Sequence, residues 1–531
     1  MVNRRDFLKA VSAAGGLGIV RPIQVLASRY QNSAGFFTVH PFVEHHPEAV
    51  FIMKTSVDAK TNSEAKLKTG LDFTRSVIIP GDDGIPLTSM IPIKPNLTCS
   101  LNDSFSLEYG MGIVTDVNFV EGVIGGMKEL GLSGSQFYIR EVNCSSHFGP
   151  RGYIDMCERT GADIRELEAQ VGKISENDLQ WVDVPEGVWF RKIPYLWPIN
   201  APGSWLLNIS KFKAHGMGLT LCCKNNQGSI AHNYQEFCGT PKVVDSKHLN
   251  PDAFNDTYEN YKRHKADGVP RWDKPDGAVS MEQWCTRTVD NLMATQTGLF
   301  IVEGIYGRDG NGFHNGPNPE GNDNNQKGEA WDYMTNIIIF GKNSYHIDIV
   351  GHWLGGHEPG NFGLFHLGLE RGFSTYLNPM DIPVYEWFPD GSTSLTPLTG
   401  FERTPLKTYY LQRDYNGQNE PYYHLCDEPF DYGPSPSITE DRKPEMFVLS
   451  QNHPNPFNPN TSIEFLLPKG GNARLEIYNA SGQLLEVLAD GYYRAGSHMA
   501  VWNTGSRSSG TYFYRLVFGE FAETKKMVLM K

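Results

Sequence analysis

Hydrophobic and polar positions follow two different patterns along this chain. Between residues 50 and 342, short apolar, β-rich runs recur at Val50–Thr55, Met90–Ile93, Gln136–Val142, Trp205–Ile209, Leu299–Val302 and Asn336–Phe340, each the length of a buried strand. Helical spacing lies between them, clearest over Asp116–Leu130, where Phe119, Val120, Val123, Ile124, Met127 and Leu130 recur at three- and four-residue steps. Strand alternating with helix predicts an α/β fold, a mainly parallel sheet with flanking helices. From about Phe447 the pattern shortens to Ser462–Leu467, Ala473–Tyr478, Leu484–Leu488, His498–Trp502, Tyr512–Phe518 and Lys525–Leu529, separated by Asn, Pro and Gly turns. That spacing predicts a C-terminal immunoglobulin-like β-sandwich.

The expected division is a signal at 1–27, an α/β body at 28–372, a Tyr/Pro-rich extension at 373–426, a linker at 427–446 and the sandwich at 447–531. The aromatic pairs of the extension, Tyr409-Tyr410 and Tyr422-Tyr423, are read as packing it onto the body. At the N-terminus, Arg4-Arg5-Asp6-Phe7-Leu8-Lys9 precedes an apolar stretch, Ala10–Val20, too short to span a bilayer, and Val25-Leu26-Ala27 offers a cleavage site. This resembles a twin-arginine signal peptide, which implies the twin-arginine translocase as a partner and passage through the periplasm in the folded state. At the other end, Asn452-His-Pro-Asn-Pro-Phe-Asn-Pro-Asn-Thr461, Leu475-Glu-Ile-Tyr-Asn-Ala-Ser-Gly-Gln483 and Lys525-Lys-Met-Val-Leu-Met-Lys531 resemble the sorting domain of type IX secretion cargo. That resemblance implies the type IX machinery as a partner, a Bacteroidota-like source, and a cell-surface or extracellular destination.

Composition narrows the function classes. The 531 residues carry 47 basic and 60 acidic side chains, a net charge of −13, which argues against a nucleic-acid groove. Without the signal and the sandwich, 35 basic residues face 53 acidic ones, so a basic cluster in the body runs against its local trend. Eight cysteines are too few for a disulfide scaffold, and no transmembrane helix is expected in the mature chain.

In parallel sheets, ligands settle beyond the carboxyl ends of strands. The residues following the runs are Lys94-Pro-Asn96, Arg140-Glu141, Lys211-Phe-Lys213-Ala-His215 and Glu303-Gly304. Ile93-Lys94-Pro-Asn-Leu97, Thr115-Asp116, Lys211-Phe-Lys213-Ala-His215, Thr220-Leu-Cys-Cys-Lys224-Asn225-Asn-Gln-Gly228, Val302-Glu303-Gly304 and Tyr345-His-Ile-Asp348 together resemble the family known as domain of unknown function 362. The likeness covers about Met90 to Gly372. Glu303 stands where an aspartate is expected, and no Cys-x-x-Cys is present to build the iron–sulfur domain that many relatives carry.

Lys211, Lys213 and His215 occupy alternate positions, so a continuing strand would put them on one side. Such a group calls for an anion between its members: a small-molecule phosphate or carboxylate, with Lys94, Lys211, Lys213 and Lys224 as charge partners and Asn96 and Asn225 as donors. Glu141 or Glu303 is then the candidate base and His215 the candidate acid or base. The competing reading pairs these lysines with Glu141, Glu303 and Asp348 as a buried ionic network. His215, Cys222, Cys223, His232 and Cys238 fit no zinc pattern, and Asp309–Glu320 lacks the glycine of a calcium loop, so no metal site is expected. The sequence names no cofactor. Two classes stay open: an exported enzyme or cofactor carrier acting on an anionic small molecule, and a non-catalytic surface protein binding a ligand or partner.

Overall fold

The computed structural model describes residues 35–97, 112–141, 148–165, 174–215, 218–231, 248–270, 280–310, 315–316, 328–410, 422–424, 429–433, 447–449, 451–452, 455–467, 471–493, 496–505, 507–519 and 521–530. The twin-arginine segment, His232, Cys238 and most of the expected linker lie outside these residues. The chain forms two compact units, Met1–Tyr432 and Gly433–Lys531.

One sheet organises the first unit. In chain order its strands are β1 (Val50–Lys54), β2 (Ile91–Pro95), β3 (Phe137–Ile139), β4 (Asp163–Ile164), β5 (Leu206–His215), β6 (Thr297–Arg308), β7 (Asp332–Gly341), β8 (Val384–Trp387) and β9 (Thr393–Leu395). In space they lie β9-β8-β1-β7-β6-β5-β2-β3-β4, and Gly218–Thr220 folds back antiparallel on β5. Strands β2 to β6 run parallel, as do β1 and β8, whereas β7 opposes both its neighbours. The sheet is therefore mixed and mostly parallel.

Alternating residues of the central strands fill two opposite cores, which is why their sequences are apolar at successive positions. Phe51, Leu207, Ile209, Ile301 and Phe340 pack in one core with α1 (Ser63–Val77), α2 (Val117–Glu129) and α3 (Tyr153–Thr160). Val50, Ile52, Phe212, Val302 and Ile339 pack in the other, with α4 (Cys222–Asn225), α5 (Ser280–Ala294), α6 (Ser344–Leu354) and α7 (Gly363–Glu370). Helix α2 matches the periodicity of its sequence. It begins where Asp116 accepts hydrogen bonds from the backbone N–H groups of Asn118 and Phe119, at 2.9 and 3.2 Å. It crosses α1 backbone to backbone: a Cβ on Gly70 would stand 2.2 Å from the Phe119 carbonyl oxygen, and one on Gly122 2.2 Å from that of Leu67.

The structure differs from the sequence pattern in strand length. Strand β5 continues past Ile209 to His215, and β6 past Val302 to Arg308, so Lys211, Lys213 and Glu303 lie inside strands rather than in loops after them. Burial of charge inside a sheet needs a partner across the strand, and Lys211 is in register with Glu303. The 373–426 stretch supplies β8 and β9, so part of it extends the main sheet.

A bulge shapes the outer edge. The β6–β7 register breaks between Gly304 and Tyr306, and Asn336 adopts a left-handed conformation (φ 49°), which asparagine tolerates better than most residues. The Asn336 side chain accepts from the Thr55 hydroxyl (2.8 Å) and the Val57 N–H (2.9 Å) and donates to the Val57 carbonyl (3.0 Å). The ends of β6 and β7 and the loop after β1 are thereby tied into one lip.

The second unit is an antiparallel sandwich. Its strands are β10 (Val448–Leu449), β11 (Asn460–Leu467), β12 (Gly471–Asn479), β13 (Leu484–Tyr493), β14 (Gly496–Asn503), β15 (Gly510–Phe518) and β16 (Phe521–Leu529). They form sheets β10-β11-β14 and β13-β12-β15-β16, which share a core of Ile463, Phe465, Trp502, Leu475, Ile477, Tyr514, Leu516 and Met527.

Candidate functional site

Polar side chains from β2, β3, β5 and β6, from the start of α2 and from α4 meet at the carboxyl ends of the parallel strands. Lys94, Asn96, Glu141, Lys211, Lys213, Lys224, Asn225 and Glu303 are all buried there, and His215 is partly buried. They fall into three groups.

The first surrounds Lys94. Its Nζ lies 2.7 Å from Glu141 Oε2, 3.0 Å from Asn225 Oδ1 and 2.6 Å from the Pro95 carbonyl. Glu141 also accepts from the Leu97 N–H at 3.2 Å, and Asn96 Nδ2 lies 3.4 Å from Asn225 Oδ1. Asn225 is oriented in turn by donating to the Lys94 carbonyl (2.9 Å) and to Asn208 Oδ1 (2.7 Å). Gly228 closes over this pair: a Cβ there would stand 2.2 Å from Glu141 Oε1 and 2.9 Å from Lys94 Nζ.

The second group centres on Glu303. Lys211 Nζ donates to both its oxygens, at 3.0 and 2.8 Å, and the backbone N–H groups of Ile305 and Asp116 each add a bond of 3.0 Å. The ammonium also sits 3.5 Å from the centre of the Tyr306 ring. Asp116 accepts from Lys66 Nζ and from the Tyr306 hydroxyl, both at 2.6 Å. Burial pushes Glu303 up and Lys211 down, opposed by their contact. Asp116 is held below the usual carboxylate range: against desolvation, which would raise it, stand Lys66, the Tyr306 hydroxyl and the charge of Lys211.

Lys213, His215 and Lys224 make the third. Burial, then the charges of Lys224 and Lys213, hold the His215 imidazole well below its ordinary pKa, so it is neutral at physiological pH.

Asp348, a candidate lysine partner in the sequence, instead accepts from the Cys222 and Cys223 N–H groups (2.8 and 2.9 Å) and fastens the start of α4. Burial lifts its pKa to about 7. Cys222 and Cys223 are buried thiols whose pKa values desolvation drives well above 9, and among the described residues no group of three or more His, Cys, Asp or Glu is placed to hold a metal ion. Sequence reasoning missed Lys66 and Tyr306. Lys66 and Tyr306 carry no local motif, since each meets Asp116 only through the tertiary fold; Asp116 itself opens the segment of helical spacing in the sequence.

Residues 91–352 match the family described as Domain of unknown function (DUF362), and residues 452–530 match the Secretion system C-terminal sorting domain. No curated protein matches the chain. No helix among the described residues is long and apolar enough to cross a membrane. The DUF362 match begins at β2 and ends in α6, so it takes in every strand end that contributes to the polar layer, while the sorting match takes in strands β11 to β16. The chain is thus built on a domain of the DUF362 family, carried to the cell surface or the extracellular space by a type IX sorting domain at its C-terminal end.

Proposed function

We propose that the body binds an anionic small molecule at the carboxyl edge of its sheet, with Lys213, Lys224 and His215 as the receiving group. The observation that carries this reading is a pair of buried lysines, Lys213 on β5 and Lys224 on α4, near enough to His215 for their charges to lower its pKa, in a body whose charge balance is strongly acidic. An anion there gains two cations and a ring N–H. Lys94–Glu141 and Lys211–Glu303 are already paired, and they serve as the frame that fixes β2, β3, β5 and β6 around the site. Glu303 accepts four hydrogen bonds from Lys211 and two backbone N–H groups, which leaves it poorly placed to take a proton from a substrate. The geometry therefore favours binding or carrying a ligand over acid–base turnover, and the twin-arginine route fits a body that folds and loads before export.

Sulfate is the probe for calorimetry, because it keeps its double charge between pH 5 and 8. A bound anion favours the imidazolium, so affinity is expected to rise as pH falls over that range. Replacing both lysines, Lys213→Met with Lys224→Met, should weaken sulfate binding by about tenfold or more. Unchanged affinity in a folded double variant overturns the reading.

A further inference from the structure

A cleft of about 520 Å³ opens on the lip at the ends of β6 and β7, lined by Lys60, Arg308, Trp331, Asp332, Tyr333 and Met334. None of these residues belongs to the Lys213, His215 and Lys224 group, so a ligand in the cleft and an anion at the sheet edge would be held by different side chains. The volume lies in the range of small-molecule sites.

Its walls are of two kinds. Trp331 is 47 % exposed and Met334 41 %, two large apolar side chains left open in one cleft on a body with well-filled cores. The aromatic wall is held from beneath: buried Asp309 accepts from the Trp331 backbone N–H at 2.7 Å and from the Tyr333 hydroxyl at 3.1 Å. The same cleft holds a charged trio, in which Lys60 Nζ and Arg308 Nη1 each lie 2.8 Å from a different oxygen of Asp332. Arg308 is buried and the Asp332 side chain is 9 % exposed, whereas the Lys60 side chain is 33 % exposed. Lys60 is thus the cation able to swing from Asp332 to a ligand, leaving a carboxylate oxygen to accept from ligand hydroxyls. Gly112 leaves room for Asp332, since a Cβ there would collide with its carboxylate.

An exposed indole beside a partly exposed cation and a carboxylate suits a molecule with one flat apolar face, hydroxyl groups and an acid. We infer that this cleft binds an acidic saccharide, one ring stacked on Trp331, its acid on Lys60 and its hydroxyls on Asp332. The sorting domain delivers the cleft to a place where such a ligand must come from the medium or the cell surface.

The test is calorimetry on the mature full-length protein with trigalacturonate, a heparin-derived tetrasaccharide, the neutral methyl ester of trigalacturonate, and benzoate. At least one of the two acidic saccharides should bind, and for a galacturonate ligand the ester should bind about tenfold more weakly. Trp331→Ala, at an exposed position that leaves the fold intact, should cost about tenfold or more, and Lys60→Met should abolish discrimination against the ester. Lys213 is in register with Arg308 of the cleft, so the variant that separates the two sites is Lys224→Met alone, which should weaken sulfate binding and bind the saccharide as the wild type does. Binding of neither acidic saccharide, binding indifferent to Trp331→Ala, or a preference for benzoate overturns the assignment.

Discussion

Among single residues, Lys94 and Glu141 show how a buried ion pair constrains what can be changed. Both are almost wholly buried and 2.7 Å apart. Removing one leaves the other charge desolvated and alone, so Lys94→Met should destabilise the body by about 3–5 kcal/mol. Adding Glu141→Gln should restore much of that loss, and a double-mutant cycle in urea measures the difference. Asp348 gives a pH-dependent counterpart. Its pKa rises from 3.8 unfolded to about 7 folded, so the folded state prefers the proton. The associated stability is complete below about pH 4 and is lost as pH rises through 7. Asp348→Asn should therefore flatten the decline in urea midpoint between pH 5 and 8. Some slope should remain, because Asp290, lifted to about 6 by burial, acts in the same direction. The sequence made residues such as Lys94, Lys211 and Glu303 visible because a lysine or glutamate beside an apolar run is conspicuous. It could not reveal Lys66, whose surroundings in α1 read as ordinary helix and whose partner lies 50 residues away.

At the scale of elements, legibility followed the cause of each element. Helix α2 was readable throughout because one apolar face and a capping aspartate define it locally. Strands β5 and β6 were read short because their outer halves carry charges that are buried only through each other, a condition periodicity does not encode. Strand β8 was hidden in a Tyr/Pro-rich stretch; it is a strand because β1 offers it a free edge. The α1–α2 crossing gives the prediction for this scale. Gly70 and Gly122 let two backbones touch, and α2 carries Asp116 into the polar layer. Gly122→Ala should force the helices apart and cost about 1–3 kcal/mol. It should also displace Asp116 from Glu303 and Lys66, so sulfate affinity should fall although the substitution touches no ligand group. A Gly125→Ala control, at a position whose nearest contact is the Leu71 side chain at 3.2 Å, should do much less on both readouts.

For the whole molecule, the two units have separate hydrophobic cores, and each terminal pattern in the sequence described its own unit without reference to the other. The sandwich was the more legible of the two, since period-two alternation and turn residues determine antiparallel strands locally, whereas the body depends on strands brought together across more than 300 residues. Independent cores predict independent unfolding. Scanning calorimetry of the full chain should resolve two transitions, one per unit. Cleavage in the Pro- and acid-rich stretch Asp427–Glu445, followed by removal of the sandwich fragment, should abolish the sandwich transition, leave the midpoint of the body within about one degree, and leave sulfate affinity as it was. A single cooperative transition, or a body that loses sulfate on cleavage, would show that the sorting domain supports the ligand site as well as delivering it.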